Sequence, residues 1–173
     1  MSPLSAAEAL YIQCLHICEQ ARGKAFEGVL GQMLAEEEIR HVLAYRPSGE
    51  EIDGAFWWNT HTFLLEAKWQ KDPIPASEIY AFKGKVDGKF SGTRGVFISM
   101  SGYSDDCVEA LVYGKDLNIL LFDEDDVKAI IGDAPNDRVR FTTVLTEKLN
   151  EAALKYHGEH AQLNIIKESR GKN

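Results

Sequence analysis

A chain of 173 residues, 45% of them hydrophobic, is long enough to bury the core of one domain. It shows no signal peptide and no apolar run near the roughly 18 residues of a transmembrane helix, which predicts a soluble, cytoplasmic protein without a membrane partner. Three cysteines, an odd number, favour reduced thiols over a disulfide framework. Cys14 and Cys18 are predicted to be buried apolar residues on a helix rather than zinc ligands.

The net charge of −8 argues against a nucleic-acid partner when it is taken for the chain as a whole. The charge is unevenly distributed, however. Between positions 104 and 137, ten acidic residues accompany two basic ones, so this segment accounts for the whole net charge. Between positions 66 and 94, six basic residues exceed four acidic ones. A locally basic surface of this kind is compatible with phosphate binding, although exposed lysines are also common on surfaces that bind nothing.

The N-terminal part of the chain shows two helical patterns. Apolar residues at helical spacing predict a first helix from Ser5 to about Ala21, with Ser5 and Glu8 forming a capping box at its start. Gly23 marks the end of this helix or a local interruption, and a second helix is predicted to run to about Glu38.

A β-hairpin is predicted in the middle of the chain, after a short strand at His41–Tyr45. Phe56-Trp57-Trp58 and Thr62–Lys68 are rich in aromatic and other apolar residues, and Asn59-Thr60-His61 between them is typical of a turn. The remaining predicted elements are, in chain order, a loop at 72–75, a helix capped by Ser77, a loop at 88–95, a strand at 96–98, a helix capped by Ser104, a strand at 118–122, a helix from Asp123 to Ile131, an edge strand at Arg138–Phe141, a helix at Thr143–Tyr156 and a frayed end.

This order of elements indicates an α/β fold. The first three strands follow one another directly and are expected to pair antiparallel, whereas the later strands are joined by helical crossovers. We therefore expect a central mixed β-sheet flanked by α-helices.

Three charged residues of the hairpin form the candidate site. Glu66 and Lys68 are two positions apart in the second strand, so they share one face of it. Asp53, at the start of the first strand, comes close to Glu66 if the two strands pair antiparallel. Two carboxylates and one lysine suit a divalent metal ion and a phosphate.

On spacing alone, an exposed hairpin with a surface Glu–Lys pair explains the pattern equally well. The functional interpretation is favoured because Glu66 and Lys68 lie between apolar residues in a central strand, where a charge is costly unless it is paired or bound to metal. Gly54 is also expected to leave open space beside Asp53.

The motifs and their order resemble the PD-(D/E)xK nuclease superfamily and, within it, the Mrr-like (type IV) restriction endonucleases. The resemblance covers roughly residues 22–131; its motifs are Gly23-Lys24-Ala25-Phe26-Glu27, Gly49-Glu50-Glu51-Ile52-Asp53-Gly54, Glu66-Ala67-Lys68-Trp69, Phe82-Lys83-Gly84-Lys85, the stretch from Gly95 to Ser104 and Leu120-Leu121-Phe122-Asp123. Many Mrr-like proteins have glutamine where this chain has Glu66, and the proline of the superfamily's name is missing near Asp53. The resemblance implies a restriction-endonuclease-like core at 22–135, with an N-terminal helical extension at 1–22 and a C-terminal strand and helix with a frayed tail at 136–173.

The resemblance also implies a chemistry. Asp53, Glu66 and the backbone carbonyl of Ala67 would hold Mg²⁺, for which Mn²⁺ is expected to substitute. Glu27 would lie at the edge of the metal site and bind the ion directly or through water. Lys68 would orient or deprotonate the attacking water, a base role that a lowered pKa would permit, and would offset charge on the phosphate.

The implied function is that of a divalent-metal-dependent nuclease, most simply a DNA endonuclease with a restriction or defence role; RNA as substrate stays open. The alternative is a non-catalytic nucleic-acid-binding or regulatory module of the same fold within a larger complex. A homodimer and a partner that supplies target recognition are both compatible with the sequence. Trp69 is expected either to stack on a base or to pack in the core. The predicted contacts to backbone phosphates are Lys71, Lys83, Lys85 and Lys89.

Overall fold

The structure, a computed structural model, describes residues 4–45, 49–107, 118–132 and 138–155. Its elements, numbered in chain order, are α1 (Ala6–Leu15), α2 (Glu19–Glu36), β1 (His41–Tyr45), β2 (Ile52–Trp58), β3 (His61–Lys68), α3 (Ala76–Asp87), β4 (Arg94–Ser99), β5 (Ile119–Phe122), α4 (Glu124–Ile131) and α5 (Phe141–Lys155).

The five described strands form one sheet in the order β1-β2-β3-β4-β5. β1 pairs antiparallel with β2, and β2 pairs antiparallel with β3. β3 pairs parallel with β4, which pairs parallel with β5. The predicted α/β fold with a mixed sheet is therefore confirmed, and β3 is its central strand.

Each face of the sheet carries its own apolar core. One face packs against α1, α2, α4 and α5, with Phe26, Phe56 and Phe141 among its fully buried side chains. The other face packs against α3 through residues such as Ile79 and Phe82. Alternation along β3 sends Leu64 to the α3 side and Leu65 to the opposite side.

The boundary between the first two helices differs from the prediction. The capping box of Ser5 and Glu8 is confirmed, but α1 ends at Leu15, and α2 starts at Glu19 and passes through Gly23 without a break. The interruption between the two helices, at residues 16–18, lets both of them pack in the same core. There, the Ile17 carbonyl accepts a hydrogen bond from the Arg22 guanidinium at 3.0 Å.

The three cysteines are free thiols, as predicted. Cys14 is buried in the core, which confirms its predicted apolar role. Cys18 is exposed, so the same prediction was wrong for Cys18. The reason is that Cys18 does not lie inside a helix: it is the extended residue that precedes α2.

Later elements follow the prediction with two corrections. Pro75, not Ser77, precedes α3 as its N-cap residue. The predicted edge strand at Arg138–Phe141 is absent, because residues 138–140 are not paired with a strand and Phe141 begins α5. The predicted helix after Ser104 lies outside the described residues beyond Cys107, as does the tail beyond Lys155.

Helices that could cross a bilayer were also sought. Among the helices that the structure describes, none has both the length and the apolar character that a membrane crossing requires.

Candidate active site at the β2–β3 hairpin

The hairpin sets the register of the candidate site. Asn59 and Thr60 both have positive φ, 45° and 65°, and form a two-residue turn that pairs Trp58 with His61. The same register pairs Gly54 with Leu65 at the other end. Asp53, which precedes Gly54, therefore lies opposite Glu66, which follows Leu65.

Asp53 is anchored to the neighbouring strand. Its Oδ2 atom accepts a hydrogen bond from the backbone N–H of Ala67 at 2.9 Å. This bond holds the Asp53 carboxylate next to Glu66, as predicted from the sequence, and the two carboxylates interact electrostatically.

Glu66 is 7% exposed and is bound by two lysines. Lys68 Nζ lies 3.1 Å from Glu66 Oε1, and Lys85 Nζ of α3 lies 2.9 Å from Glu66 Oε2. Lys85 also donates a hydrogen bond to the backbone carbonyl of Glu51 at 2.9 Å. Each oxygen of the buried carboxylate thus faces an ammonium group, which offsets the cost of its burial.

The surroundings raise the pKa of both Asp53 and Lys68. For Asp53, burial has the largest effect, and the negative charges of Glu66 and Glu27 add to it; the hydrogen bond from Ala67 opposes the rise. For Lys68, burial acts to lower the pKa, but attraction to Glu66 and Asp53 outweighs it. The pKa of Lys68 is thus raised, whereas a general base would need a lowered one.

Glu27 and Lys24 of α2 border the site. Their side chains form an ion pair with 2.7 Å between Lys24 Nζ and Glu27 Oε2. Both charges interact with Asp53, which places this turn of α2 near the Asp53 carboxylate. Glu27 nevertheless does not join Asp53 and Glu66 in a compact set, since the described residues include no group of three His, Cys, Asp or Glu side chains close enough to hold a metal ion.

The donor set of the site fits a hard divalent cation. Asp53 and Glu66 contribute carboxylate oxygens, which Mg²⁺ and Mn²⁺ prefer. The pKa of Asp53 is raised by burial and by the nearby negative charges, and a bound cation would relieve that unfavourable interaction. The fit rests on two carboxylates rather than three, with Glu27 further out.

Gly54 has a different role from the one that the sequence suggested. A Cβ atom at this position would lie 3.0 Å from the Val42 carbonyl oxygen and 3.2 Å from Leu43 Cδ2. The space beside Gly54 is therefore filled by β1. Glycine allows β1 to approach β2 closely, and it does not open a cavity beside Asp53.

The four lysines predicted to contact phosphates lie in four different settings. Lys71 is exposed, and Lys89 pairs with Glu50 at 2.5 Å. Lys85 lies in the site itself. Lys83 is 1% exposed and binds Asn118 and Asp87 at 2.7 and 3.2 Å, which argues against the predicted phosphate contact because its ammonium is enclosed by the protein.

Trp69 packs in the core. Its ring stacks on Tyr11 with centroids 5.6 Å apart and meets Phe26 edge-on at 5.2 Å, and the Arg22 guanidinium lies 5.2 Å from its centre. These contacts favour the packing role over base stacking. They also tie the residue after Lys68 to both N-terminal helices.

Sequence reasoning missed two parts of the site. Lys85 was predicted to contact backbone phosphates and not Glu66, although its position near the end of the helix that follows β3 could have suggested a return toward that strand. Lys24 lies within the motif that contains Glu27, one helical turn before it, and that spacing is a signal for an ion pair.

Comparison with known proteins connects this geometry to a family. Residues 18–131, more than half of the chain, match the restriction endonuclease family Mrr_cat. The fold is similar to that of the small subunit of the heterodimeric restriction endonuclease R.BspD6I, with a TM-score of 0.61 and 14% identity over 94% of this chain and 97% of that one.

Two larger proteins share parts of the fold. A type III CRISPR defence DNA nuclease activated by cyclic oligoadenylate gives a TM-score of 0.50 and 11% identity over 94% of this chain and 28% of that one. The restriction endonuclease MspJI, in complex with a 27-mer oligonucleotide, gives a TM-score of 0.45 and 18% identity over 88% of this chain and 38% of that one. No curated protein sequence matches the chain.

The family match covers α2 to α4, which include every residue of the candidate site. The mixed α/β sheet agrees with the similarity of the fold to the small subunit of R.BspD6I. The predicted resemblance is thereby confirmed, and the chain belongs to the Mrr-like restriction endonuclease family of the PD-(D/E)xK superfamily.

Proposed function

We propose that the protein is a divalent-metal-dependent DNA endonuclease whose active site is formed by Asp53, Glu66 and Lys68. The observation that carries this proposal is the hydrogen bond from Ala67 N–H to Asp53, which brings the Asp53 carboxylate to the backbone next to Glu66, while Lys68 pairs with Glu66 itself. Membership of a restriction endonuclease family supports the reaction class.

The residues of the site would divide the work as follows. Asp53 and Glu66, with the backbone carbonyl of Ala67, would hold Mg²⁺ or Mn²⁺. The cation would supply positive charge at the phosphodiester and lower the pKa of an attacking water. Lys68 pairs with Glu66 at 3.1 Å, so it would donate to the phosphate and orient or deprotonate the attacking water.

Other charged residues would act around this centre. Glu27 lies beyond the pair of carboxylates, where it can accept a hydrogen bond from a water at the edge of the metal site. Lys71 is exposed after β3, and Lys89 lies on the α3 side of the hairpin. Both would contact the DNA backbone, which positions the duplex without reading its sequence.

Plasmid cleavage tests the proposal. Supercoiled plasmid, linear single-stranded DNA and RNA would each be incubated with Mg²⁺, Mn²⁺ or EDTA. We expect metal-dependent nicking or linearisation of the closed plasmid, which an exonuclease cannot produce. Lys68→Ala should lower the cleavage rate at least about 100-fold. Lys128→Ala, which removes a partly exposed lysine of α4 that pairs with Glu124, should leave the rate unchanged.

Three results would contradict the proposal in different ways. Cleavage that survives Lys68→Ala would mean that the site lies elsewhere. Cleavage of RNA alone would remove the DNA assignment. Binding of DNA without any cleavage, with either metal, would favour the non-catalytic or regulatory module.

A partner or a second copy is the proposed source of target recognition. One structural relative, similar over 94% of this chain and 97% of its own, is a subunit of a heterodimeric restriction endonuclease. Sedimentation of the protein with and without a DNA duplex would show whether a homodimer forms.

A further inference from the structure

Lys85 has contacts that are unusual for a lysine near the end of a helix. It belongs to the last turn of α3, where lysines commonly extend into solvent and interact with the helix dipole. Instead its ammonium turns toward the sheet, with 24% of the side chain exposed, and bonds to Glu66 Oε2 and to the Glu51 carbonyl, each at 2.9 Å.

The consequence for Glu66 is that neither carboxylate oxygen is open. Oε1 faces Lys68 at 3.1 Å, and Oε2 faces Lys85 at 2.9 Å. A divalent cation that binds Glu66 has to compete with these ammonium groups, because positive charges at contact distance from the same carboxylate repel one another.

Lys85 is the one that can leave. Lys68 is two residues from Glu66 on the same face of β3, so its Cα atom stays close to Glu66 even when its side chain changes rotamer. Lys85 reaches Glu66 from a different element through a long flexible side chain and can move away without any change in the backbone. Its neighbour Lys89 shows that this end of α3 also supports contacts further out, since Lys89 pairs with Glu50.

We propose that Lys85 is an internal cation that neutralises Glu66 in the metal-free protein and competes with the divalent metal for Glu66 Oε2. This inference rests on the proposed function, because it takes Glu66 as a metal ligand. Lys85 is then a positioning residue: it keeps the buried carboxylate in place while the site is empty and sets the metal concentration at which the site fills.

A purely structural role for Lys85 makes a different prediction. If its bonds only fasten α3 to β2 and β3, removal of the ammonium would loosen the site, and metal would bind more weakly or equally. Competition requires the opposite result, because metal binding no longer has to break the Lys85–Glu66 pair.

Calorimetric titration of the full chain with Mn²⁺, in the absence of nucleic acid, separates these two roles. Lys85→Met keeps the length of the side chain and removes its charge, and should bind Mn²⁺ about tenfold more tightly than the wild type. Lys89→Met is the matched control: it removes a charge from the same helix end but not from Glu66, and should change the affinity less than about threefold. Glu66→Gln should abolish binding.

A measurement on the wild type avoids the case in which Lys85→Met does not fold. Lysine acetylation followed by mass spectrometry would be compared with and without Mn²⁺. Lys85 should become several-fold more reactive when Mn²⁺ is present, whereas the buried Lys83 should stay protected and the exposed Lys71 reactive in both conditions.

The outcomes distinguish this inference from the proposed function. Absence of Mn²⁺ binding by the wild type, or equal binding by Glu66→Gln, would overturn the metal site and the inference together. Binding that is lost in Glu66→Gln, but is not tightened in Lys85→Met and leaves the reactivity of Lys85 unchanged, would overturn the inference alone.

Discussion

Within the candidate site, the negative charges of the two glutamates are balanced by lysines, but the charge of Asp53 is balanced less well. Glu66 faces two lysines, and Glu27 is paired with Lys24. Asp53 depends on a backbone N–H and feels the negative charge of both glutamates. Asp53 therefore combines burial with repulsion, and its ionised form opposes folding of the metal-free protein.

The first prediction follows from the raised pKa of Asp53. A carboxyl whose pKa is higher in the folded than in the unfolded protein stabilises the fold below its unfolded pKa, and this stabilisation is lost as the pH rises through the folded pKa. Asp53→Asn, whose amide oxygen can still accept from Ala67, should thus raise the Tm of the metal-free protein at pH 7, with a difference from the wild type that shrinks toward pH 4.

Thermal unfolding in EDTA across this pH range checks the prediction, and Asp72→Asn, an exposed loop residue, is the control. Added Mn²⁺ should raise the Tm of the wild type but not that of Asp53→Asn. An Asp53→Asn protein that is less stable than the wild type at pH 7 would show that the Ala67 hydrogen bond outweighs the repulsion.

For single residues, the sequence predicted the geometry correctly where it depends on the alternation of side chains along a strand. Alternation along β3 predicted that Glu66 and Lys68 share a face, and antiparallel pairing predicted the approach of Asp53. It could not separate Lys83 from Lys85. Two residues on a helix point about 200° apart, so one enters the core and the other reaches the site, but which one does so depends on how α3 is rotated on the sheet.

Among the elements, α5 shows how a distant part of the chain can decide local structure. Its first backbone N–H groups, at Phe141 and Thr142, donate to the carboxylate of Glu37, which directly follows α2. The Thr142 hydroxyl donates to the same carboxylate at 2.9 Å. An acidic side chain from another element thus caps the helix, where its charge also interacts favourably with the helix dipole.

The second prediction concerns this cap. Glu37→Gln keeps the shape of the side chain and removes its charge, and should lower the free energy of unfolding by about 1–2 kcal/mol. Urea unfolding measures the change. Glu147→Gln, an exposed acid in the middle of α5, should stay within about 0.5 kcal/mol of the wild type. Equal effects of the two substitutions would show that the Glu37 cap does not stabilise the fold.

Elements with local signals were predicted well, and those that depend on tertiary contacts were not. The predicted capping box of Ser5 and the predicted helix start at Asp123 rest on local signals and match the structure. The segment 138–141 was predicted as an edge strand because Val139 and Phe141 alternate with arginines. Its conversion to a helix start depends on Glu37, about a hundred positions earlier, which no local pattern can reveal.

For the whole molecule, the packing of α1 gives more information than the predicted division of the chain into an extension and a nuclease core. The sequence placed residues 1–22 outside the nuclease core as a helical extension. In the structure, Ala7, Tyr11 and Cys14 of α1 belong to the same buried cluster as α2 and the sheet. The aromatic contact between Tyr11 and Trp69 connects this helix to the residue that follows Lys68.

The last prediction is that α1 supports the site as well as the fold. Tyr11→Ala should lower the free energy of unfolding by about 3 kcal/mol, because it removes a buried ring that stacks on Trp69. Leu10→Ala, on the more exposed side of the same helix, should cost less than about 1 kcal/mol.

The effect on the site can be separated from the effect on stability. At a temperature where Tyr11→Ala is still folded, its tryptophan emission should shift to longer wavelength as Trp69 gains contact with water, and plasmid cleavage should fall because Lys68 is less firmly positioned. Trp69→Phe, which keeps an aromatic ring in the stack, should retain most of the cleavage activity. If Tyr11→Ala loses stability but cleaves plasmid as fast as the wild type, α1 stabilises the fold without positioning Lys68.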